Sequence, residues 1–304
     1  MKTISDIRVV VTSLAVSVSD VTLNIIVSLL TGSTVMLAQA LQGMSDLITG
    51  AILYLGVKRS KRKASHKYQF GHGREVFFWV LLAGVMMFVG TGAMSVYFGY
   101  QQVIRPDPLE HVWLAVCMLL VGFTTNGYAF SLSVRRLRRH GGNGHWFYQL
   151  MNSSIVETKA TFLIDMLGTS SAMLGFLALG LYMITGNAMF DGLGAIIIGA
   201  SMMLTAGILI NDARGLIVGK SVDPHVAQKI IAAAESVDDI ESVLDLRTMY
   251  LGSERLLVIL EVHVKDGLET DHIEGVVDKV KDVVKENVDQ VHHIQVEIET
   301  PDED

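Results

Sequence analysis

Charged residues and cysteine are both scarce in this sequence. Of its 304 residues only 18% are Asp, Glu, Lys or Arg, whereas 50% are hydrophobic, and the mean hydropathy is +0.43. A soluble domain normally has about a quarter of its residues charged, so the composition argues against a soluble protein and indicates an integral membrane protein. The single cysteine, Cys117, lies in an apolar run, which excludes an intramolecular disulfide and a cysteine-based zinc site.

Six apolar runs are long enough to cross a bilayer as helices, which takes about 20 residues each. They cover residues 9–31, 34–57, 76–104, 110–134, 155–184 and 190–211. Amphipathic core helices of a soluble protein are the alternative interpretation, and the alternating charge of the loops argues against it. No small-residue cleavage pattern follows the polar start, so we expect no cleaved signal peptide.

The basic residues between the runs predict the orientation of the chain. The loop 58–75 carries seven Lys or Arg and the loop 135–142 carries four, whereas the other three separators contain only Arg105. Under the positive-inside rule the two basic loops face the cytoplasm, and so do both termini. We therefore expect a multi-pass protein of the inner or cytoplasmic membrane.

The chain changes character after Arg214, where acidic residues become frequent. The stretch DPHVAQKIIAAAESV has helical periodicity behind an Asp-Pro start, which is typical of a helix N-terminus. VLDLRTMYL and ERLLVILEVHV alternate as strands around a turn, an amphipathic helix ETDHIEGVVDKVKDVVKENV follows, and HHIQVEIE alternates again. We predict an α-helical membrane bundle of six helices over 1–214 and a cytoplasmic α+β domain, ordered α–β–β–α–β, over 215–304.

Three aspartates lie inside the predicted spans: Asp20, Asp46 and Asp165. An ionisable residue at the centre of a span costs about 2.5–3 kcal/mol, so it is a functional candidate. Each aspartate lies about 10–11 residues from the cytoplasmic end of its helix, which places all three about 15–17 Å above that boundary. Carboxylates that converge in a low dielectric repel one another unless a cation or protons neutralise them. The sequence therefore predicts a cation site at which protons compete.

Each aspartate also has an oxygen-bearing residue four positions away, on the same helix face. These residues are Asn24 after Asp20, Gln42 before Asp46 and Thr161 before Asp165. They complete the predicted set of metal ligands. Hydrogen bonding between helices is the alternative role for all three, and Thr161 has the further alternative of a bond to its own backbone.

Three motifs resemble those of the cation diffusion facilitator family of divalent metal/proton antiporters. They are TGSTVMLAQALQGMSD at 31–46, YQFGHGRE at 68–75 and DLRT at 245–248. The resemblance extends over the whole chain and includes the six spans and the basic loop between the second and third. It implies a metallochaperone-like fold for the tail, a homodimer, and a transport site at Asp46 and Asp165.

The chain departs from the family pattern at several positions. Zinc-transporting members usually place His or Asp where this chain has Gln42 and Thr161, and a lysine is common where it has Asn24. Asp20 has no standard counterpart in the family. Tyr68 and Gln69 replace the usual His-Pro of the loop. Further candidate ligands, for which a solvated surface is the alternative, are His66 and His72 in the loop and Glu261, His263, His272, His292 and His293 in the tail.

We therefore expect a homodimeric secondary transporter that exports a divalent cation from the cytoplasm in exchange for protons, with Glu157 as a candidate to attract cations at the inner mouth. An oxygen-only ligand set favours Mn²⁺, Fe²⁺ or Mg²⁺ over Zn²⁺. The expected partners are the transported cation, protons and the membrane, with no cofactor and no nucleic acid.

Three alternatives to this function remain. The chain is either a zinc transporter, a non-transporting partner subunit of an active paralogue, or a membrane enzyme or receptor that uses the acids for chemistry. The spans contain no evident nucleophile–base pair, which counts against an enzyme.

Overall fold

The structure, a computed structural model, describes residues 6–140 and 156–301, with side chains described over 17–135 and 158–301. Its helices and strands follow one another as two groups, six long helices and then a small α+β domain. In chain order they are α1 (Asp6–Thr31), α2 (Thr34–Ser60), α3 (Glu75–Ile104), α4 (Val112–His140), α5 (Val156–Thr185), α6 (Met189–Val218), α7 (Pro224–Glu235), β1 (Ile240–Gly252), β2 (Arg255–Val264), α8 (Thr270–Asn287) and β3 (Val291–Ile298).

The predicted fold class is confirmed. In the part of the chain that the structure describes, five helices are long and apolar enough to cross a membrane, and α1 contributes a shorter apolar helix over Ser17–Thr31. Many of the large apolar side chains on these helices are exposed, including Leu29, Trp113 and Leu204. Lipid, rather than water, is the solvent in which such a surface is stable.

The tail has the predicted order of elements. β1 and β2 form an antiparallel hairpin, and α8 crosses over to place β3 parallel to β2, so the sheet order is β1-β2-β3. Along β2 every second residue is buried, and α8 buries a stripe of valines at helical spacing. The two periodicities that predicted these elements therefore mark the faces that form the core of the tail.

The contacts within the chain divide it into two compact units. Of the described residues, the first unit holds those up to Leu55, then 79–140 and 157–212. The second holds Gly56–Phe78, Val156 and the residues from Ala213 to 301. The basic loop between α2 and α3 is thus grouped with the tail. Within this second unit Gly73 lies against the end of β1, because a Cβ added there would collide with the Leu251 carbonyl oxygen.

Helices α3 and α6 pack with their backbones in near contact. A Cβ at Gly99 would lie 2.7 Å from the Gly192 carbonyl oxygen, and one at Gly199 would lie 2.8 Å from the Val96 nitrogen. Ser95 donates across the same interface to the Ala195 carbonyl at 3.3 Å. Small residues are typical of helix interfaces in membranes, because packing is the main attraction between helices there. A π-helical turn, Met86–Gly92, interrupts α3 beside this contact.

A buried carboxylate at the start of α6 caps the start of α2. Asp191 accepts hydrogen bonds from the Ser33 hydroxyl (2.5 Å), the Thr34 backbone N–H and hydroxyl (both 2.7 Å) and the Val35 N–H (3.2 Å). Its side chain is fully buried. The first N–H groups of a helix have no partner within the helix, and an anion suits that end of the helix dipole. Asp191 therefore fixes where α2 begins relative to α6.

We predict that Asp191→Asn lowers the thermal stability of the protein in detergent. Asparagine has the shape of aspartate but replaces one accepting oxygen with an NH₂ donor, so some of the four donors lose their partner. The expected loss is about 2–4 kcal/mol of unfolding free energy, since hydrogen bonds to charged groups contribute about 1.5–3 kcal/mol each. Glu110→Gln, at an exposed acid in the α3–α4 loop, is the control. Equal melting temperatures for the two variants would contradict the capping role.

Candidate cation site

Asp20, Asp46 and Asp165 lie on three different helices, α1, α2 and α5. Asp165 and Asp20 are near enough for their charges to act on Asp46. Gly43 makes the approach of α1 possible. A Cβ at this glycine would lie 2.8 Å from Val21 Cγ2 and 3.8 Å from Asp20 Oδ2. A side chain at this position of α2 would therefore push Asp20 away from the other two.

The carboxylate of Asp46 has one buried oxygen that lacks a hydrogen-bond partner in the described part of the chain. This oxygen is the Oδ1 atom. A carboxylate oxygen that has left water without a partner is costly. A bound cation or a proton removes that cost, which is the property that a reversible cation site requires.

Asp165 has a polar neighbour on α4 that the sequence analysis missed. The hydroxyl of Ser133 donates a hydrogen bond to Asp165 Oδ2. Two turns earlier on α4, Asn126 also faces α5, since a Cβ at Gly168 would lie 3.0 Å from its Cγ. Serine and asparagine are unremarkable near the end of an apolar run, and nothing in their spacing marks them as partners of an aspartate on another helix.

The three predicted oxygen neighbours differ in their burial. Gln42 is buried, and its Oε1 accepts a hydrogen bond of 2.5 Å from the Ser171 hydroxyl on α5. Asn24 is also buried, and its amide donates to the backbone carbonyl of Asp20 at 2.9 Å. Thr161 is exposed, one turn before Asp165 on α5. A role as cation ligands stays a prediction for all three.

The aspartates are neighbours without forming a finished coordination shell. Over residues 17–135 and 158–301, no three His, Cys, Asp or Glu side chains are close enough to hold a metal ion between them. Mg²⁺ and similar hard cations usually keep several waters and bind through one or two carboxylates. The arrangement therefore fits a hydrated cation that is held loosely enough to be released.

A second charged feature of the bundle was missed at the level of sequence. Lys159 on α5 and Asp212 on α6 form an ion pair of 2.7 Å, and their side chains are only 1% and 13% exposed. Lys159 lies inside a predicted span, so a systematic search of the spans for bases as well as acids would have found it. Asp212 lies just beyond the end of the sixth predicted span.

The candidate ligands in the tail are dispersed among separate ion pairs. His263 contacts Glu241 at 3.1 Å, and Glu261 lies 3.6 Å from Arg247. His272 contacts Asp239 at 3.1 Å. The pKa of the Asp239 carboxyl is lowered because His272 and Lys265 both donate hydrogen bonds to it.

Two of the four remaining histidine candidates lie in aromatic contacts. His72 packs against Tyr68 with ring centroids 4.6 Å apart, and His293 packs edge-on against Phe70 at 5.6 Å. His66 and His292 are exposed. The side chain predicted to attract cations at the inner mouth, Glu157, lies outside the residues whose side chains are described.

Comparison with known proteins identifies the family. Residues 10–218 match the family described as "Cation efflux transmembrane domain", and this range is more than half of the chain. The chain belongs to the cation efflux family. The match begins near the start of α1 and ends with α6, and it therefore covers all three aspartates of the site.

Cation efflux proteins from several organisms are similar over most of this chain. A human protein named "Proton-coupled zinc antiporter SLC30A9, mitochondrial" is 25% identical over 276 residues, covering 90% of this chain and 47% of the relative. "Cation-efflux pump FieF" of Shewanella oneidensis is 23% identical over 253 residues, covering 83% of this chain and 79% of the relative. This chain spans about half the length of the first curated relatives it matches.

One further relative and one solved structure extend the comparison. "Magnetosome protein MamB" of a Magnetospira strain is 23% identical over 282 residues, covering 92% of this chain and 90% of the relative. A nickel form of the MamM C-terminal domain is similar to 26% of this chain, with 20% identity and a TM-score of 0.25, and all of that domain is covered.

We predict that Ser133→Ala raises the metal concentration needed for half-maximal flux by about tenfold. A hydrogen bond to a ligating carboxylate orients that ligand, and its loss typically costs 10–100-fold in metal affinity. The maximal rate should change less, because the carboxylate itself remains. Ser131→Ala is the matched control, since this serine on the same helix donates to the backbone carbonyl of Tyr128. The same KM in both variants would show that Ser133 does not position Asp165.

Proposed function

We propose that this chain exports a divalent cation from the cytoplasm in exchange for protons, through a site formed by Asp46 and Asp165 with Asp20 beside them. The observation that carries the proposal is that the charges of Asp20 on α1 and Asp165 on α5 act on Asp46 of α2, whose buried Oδ1 atom has no hydrogen-bond partner in the described part of the chain. Membership of the cation efflux family supports the same reaction.

The site alternates between a cation and protons. With the cation bound, its charge offsets the repulsion among the carboxylates. When the cation leaves, protons take its place, because several negative charges in a low dielectric cannot stand unneutralised together. The bundle then exposes the site alternately to the two sides of the membrane. No covalent chemistry is needed, so the proposed function is transport and not catalysis.

The chemistry of the donors sets the proposed range of cations. The candidate ligands Asp20, Asp46, Asp165, Gln42, Thr161 and Asn24 offer oxygen as their metal-binding atom, and oxygen-only sets suit Mg²⁺, Mn²⁺ and Fe²⁺. Zinc favours four ligands that include nitrogen or sulfur. We therefore propose a transporter that is less selective for Zn²⁺ than its histidine-bearing relatives.

A zinc transporter is the second candidate, because the human relative carries a zinc antiporter's name and Zn²⁺ outranks Mn²⁺ and Fe²⁺ in affinity for most ligands. A non-transporting partner subunit is the third, because Gln42 is hydrogen-bonded to Ser171 instead of being free for a metal. Flux by the purified protein alone separates a transporter from a partner subunit. We further propose that the protein is a homodimer of the inner or cytoplasmic membrane, with both termini in the cytoplasm.

We predict that Asp46→Ala and Asp165→Ala each abolish metal-driven flux in proteoliposomes made from the purified protein. Each variant removes a carboxylate that the proposed cycle needs both for the cation and for the protons. A pH-sensitive dye inside the vesicles should report protons moving opposite to the metal in the wild type and no such response in either variant. Asp20→Asn should reduce flux or change selectivity without abolishing it.

Asp107→Ala, at an exposed acid in the α3–α4 loop, is the matched control and should behave as wild type. An Asp46→Ala or Asp165→Ala protein that moves metal at the wild-type rate would refute the site. Metal flux that ignores an imposed pH gradient would instead indicate a uniporter or channel.

We predict that the double variant Gln42→His/Thr161→His raises the Zn²⁺ flux relative to the Mn²⁺ flux. The two imidazoles supply the nitrogen ligands that zinc favours, beside the two carboxylates. Competition between the two metals in the same vesicle preparation gives the ratio directly, and Gln42→Asn/Thr161→Ser controls for disturbance of packing. A wild-type protein that already carries Zn²⁺ and excludes Mn²⁺ would contradict the donor argument.

A further inference from the structure

Burial changes along the faces of α1 and α5 that carry the aspartates. The inner end of the bundle is defined here as the end at which α2 ends and α5 begins, and the outer end is the opposite one. On α5, Thr161 lies one turn inward of Asp165 and is exposed, and Asp165 is half-buried. Outward of Asp165, Gly168 is buried and Ala172 has no exposed surface.

The same change occurs on α1. Asp20 is half-buried, whereas Asn24, Val27 and Thr31, which follow it toward the outer end, are all buried. On α2, residues on both sides of Asp46 are buried, Thr49 on the inner side and Gln42, Gln39 and Val35 on the outer side. On all three helices that carry an aspartate, the side chains that follow it toward the outer end on the same face are therefore buried.

One polar contact between helices lies among these buried side chains, close to the carboxylates. The Ser171 hydroxyl of α5 lies 2.5 Å from Gln42 Oε1 of α2, and it shares its single proton between this oxygen and the Leu167 carbonyl of its own helix. At 1.5 Å per residue, Gln42 lies about 6 Å outward of Asp46, and Ser171 about 9 Å outward of Asp165. The bond therefore joins the two helices of the site just above the place where the cation binds.

Apolar packing closes the bundle beyond this bond. Val35 is fully buried. A Cβ at Gly175 of α5 would lie 3.0 Å from Val35 Cγ1, and one at Gly194 of α6 would lie 2.8 Å from Val35 Cγ2. At Val35 the helices leave no room even for an added methyl group, so an ion passes this point only when α2 and α5 separate. Separation of these helices must break the bond between Ser171 and Gln42.

We propose that the hydrogen bond between Ser171 and Gln42 is the outer gate of the cation site. This inference rests on the proposed transport function and adds the contact that holds the site closed on its outer side. Ser171 acts as a positioning residue, because it acts through Gln42. While the gate is closed, Ser171 occupies the Gln42 carbonyl. When α2 and α5 separate, the Gln42 Oε1 atom loses its bond to Ser171. It is then free to bind the cation as the cation leaves the site toward the outer end.

The gate is tested with single-cysteine reporters, for which this chain is well suited because Cys117 is its only cysteine. In a Cys117→Ala background, Gln39→Cys reports opening of the outer half and Thr161→Cys reports access from the inner end. A membrane-impermeant maleimide is added to proteoliposomes without metal. Trypsin cleavage in the basic loop 58–75 shows which molecules have that loop facing the added reagent.

Adding Ser171→Ala should speed labelling of Gln39→Cys from the outer side by about three- to tenfold, the range expected for loss of one interhelical hydrogen bond. Gln42→Met removes the acceptor from the other helix and should have the same effect, which guards against a folding defect in either variant. Ser170→Ala is the matched control, because both hydroxyls contact backbone carbonyls of α5, whereas the contact to Gln42 is made by Ser171. Thr161→Cys should react from the inner side in every variant.

Unchanged labelling of Gln39→Cys in both gate variants, or an equal increase in Ser170→Ala, would overturn the proposal. A Thr161→Cys that is protected from the inner side would overturn it as well, because the structure would then be closed at both ends. The labelling needs no metal. Its result is therefore separate from that of the flux experiments, which test the cation site itself.

Discussion

The rest of the bundle depends on the buried carboxylate of Asp191. With four donors from the start of α2, it sets the height at which that helix begins. Asp46 follows Thr34 by about three turns at 3.6 residues per turn, so its depth is fixed from the same point. Asp191 belongs to α6, and α6 packs backbone to backbone on α3. The depth of Asp46 is therefore fixed relative to these two closely packed helices.

Asp191 and Asp46 show how the surroundings of one residue type determine its role. Asp191 is surrounded by N–H and O–H donors that leave its charge nothing further to bind, so it is structural. One buried oxygen of Asp46 has no donor among the described residues, and the charges of Asp165 and Asp20 act on it. A cation or proton is then the natural partner of Asp46. The donors around each carboxylate distinguish the two roles.

Hydropathy and periodicity predicted most of the fold, because the pattern that indicates each helix or strand lies within the residues of that element. The runs that became α2 to α6 are long and apolar, and the tail alternates between periods of 3.6 and 2 residues. The aspartates were found for the same reason, since a charge in an apolar run stands out. The partners of those aspartates were not found. Whether Ser133 contacts Asp165, or Ser171 contacts Gln42, depends on which faces of two helices turn toward each other. A serine in the sequence does not indicate which residue of another helix its hydroxyl will contact.

The ion pair of Lys159 and Asp212 has a consequence for how the protein enters the membrane. Each charge alone would be costly where the pair is buried between α5 and α6, and the partners are 53 residues apart in the chain. During synthesis Lys159 emerges long before the carboxylate that neutralises it. α5 therefore gains its full stability in lipid only after α6 has arrived, which favours insertion of the two helices as a hairpin. The ion pair thus bears on the order in which α5 and α6 insert into the membrane as well as on how they pack.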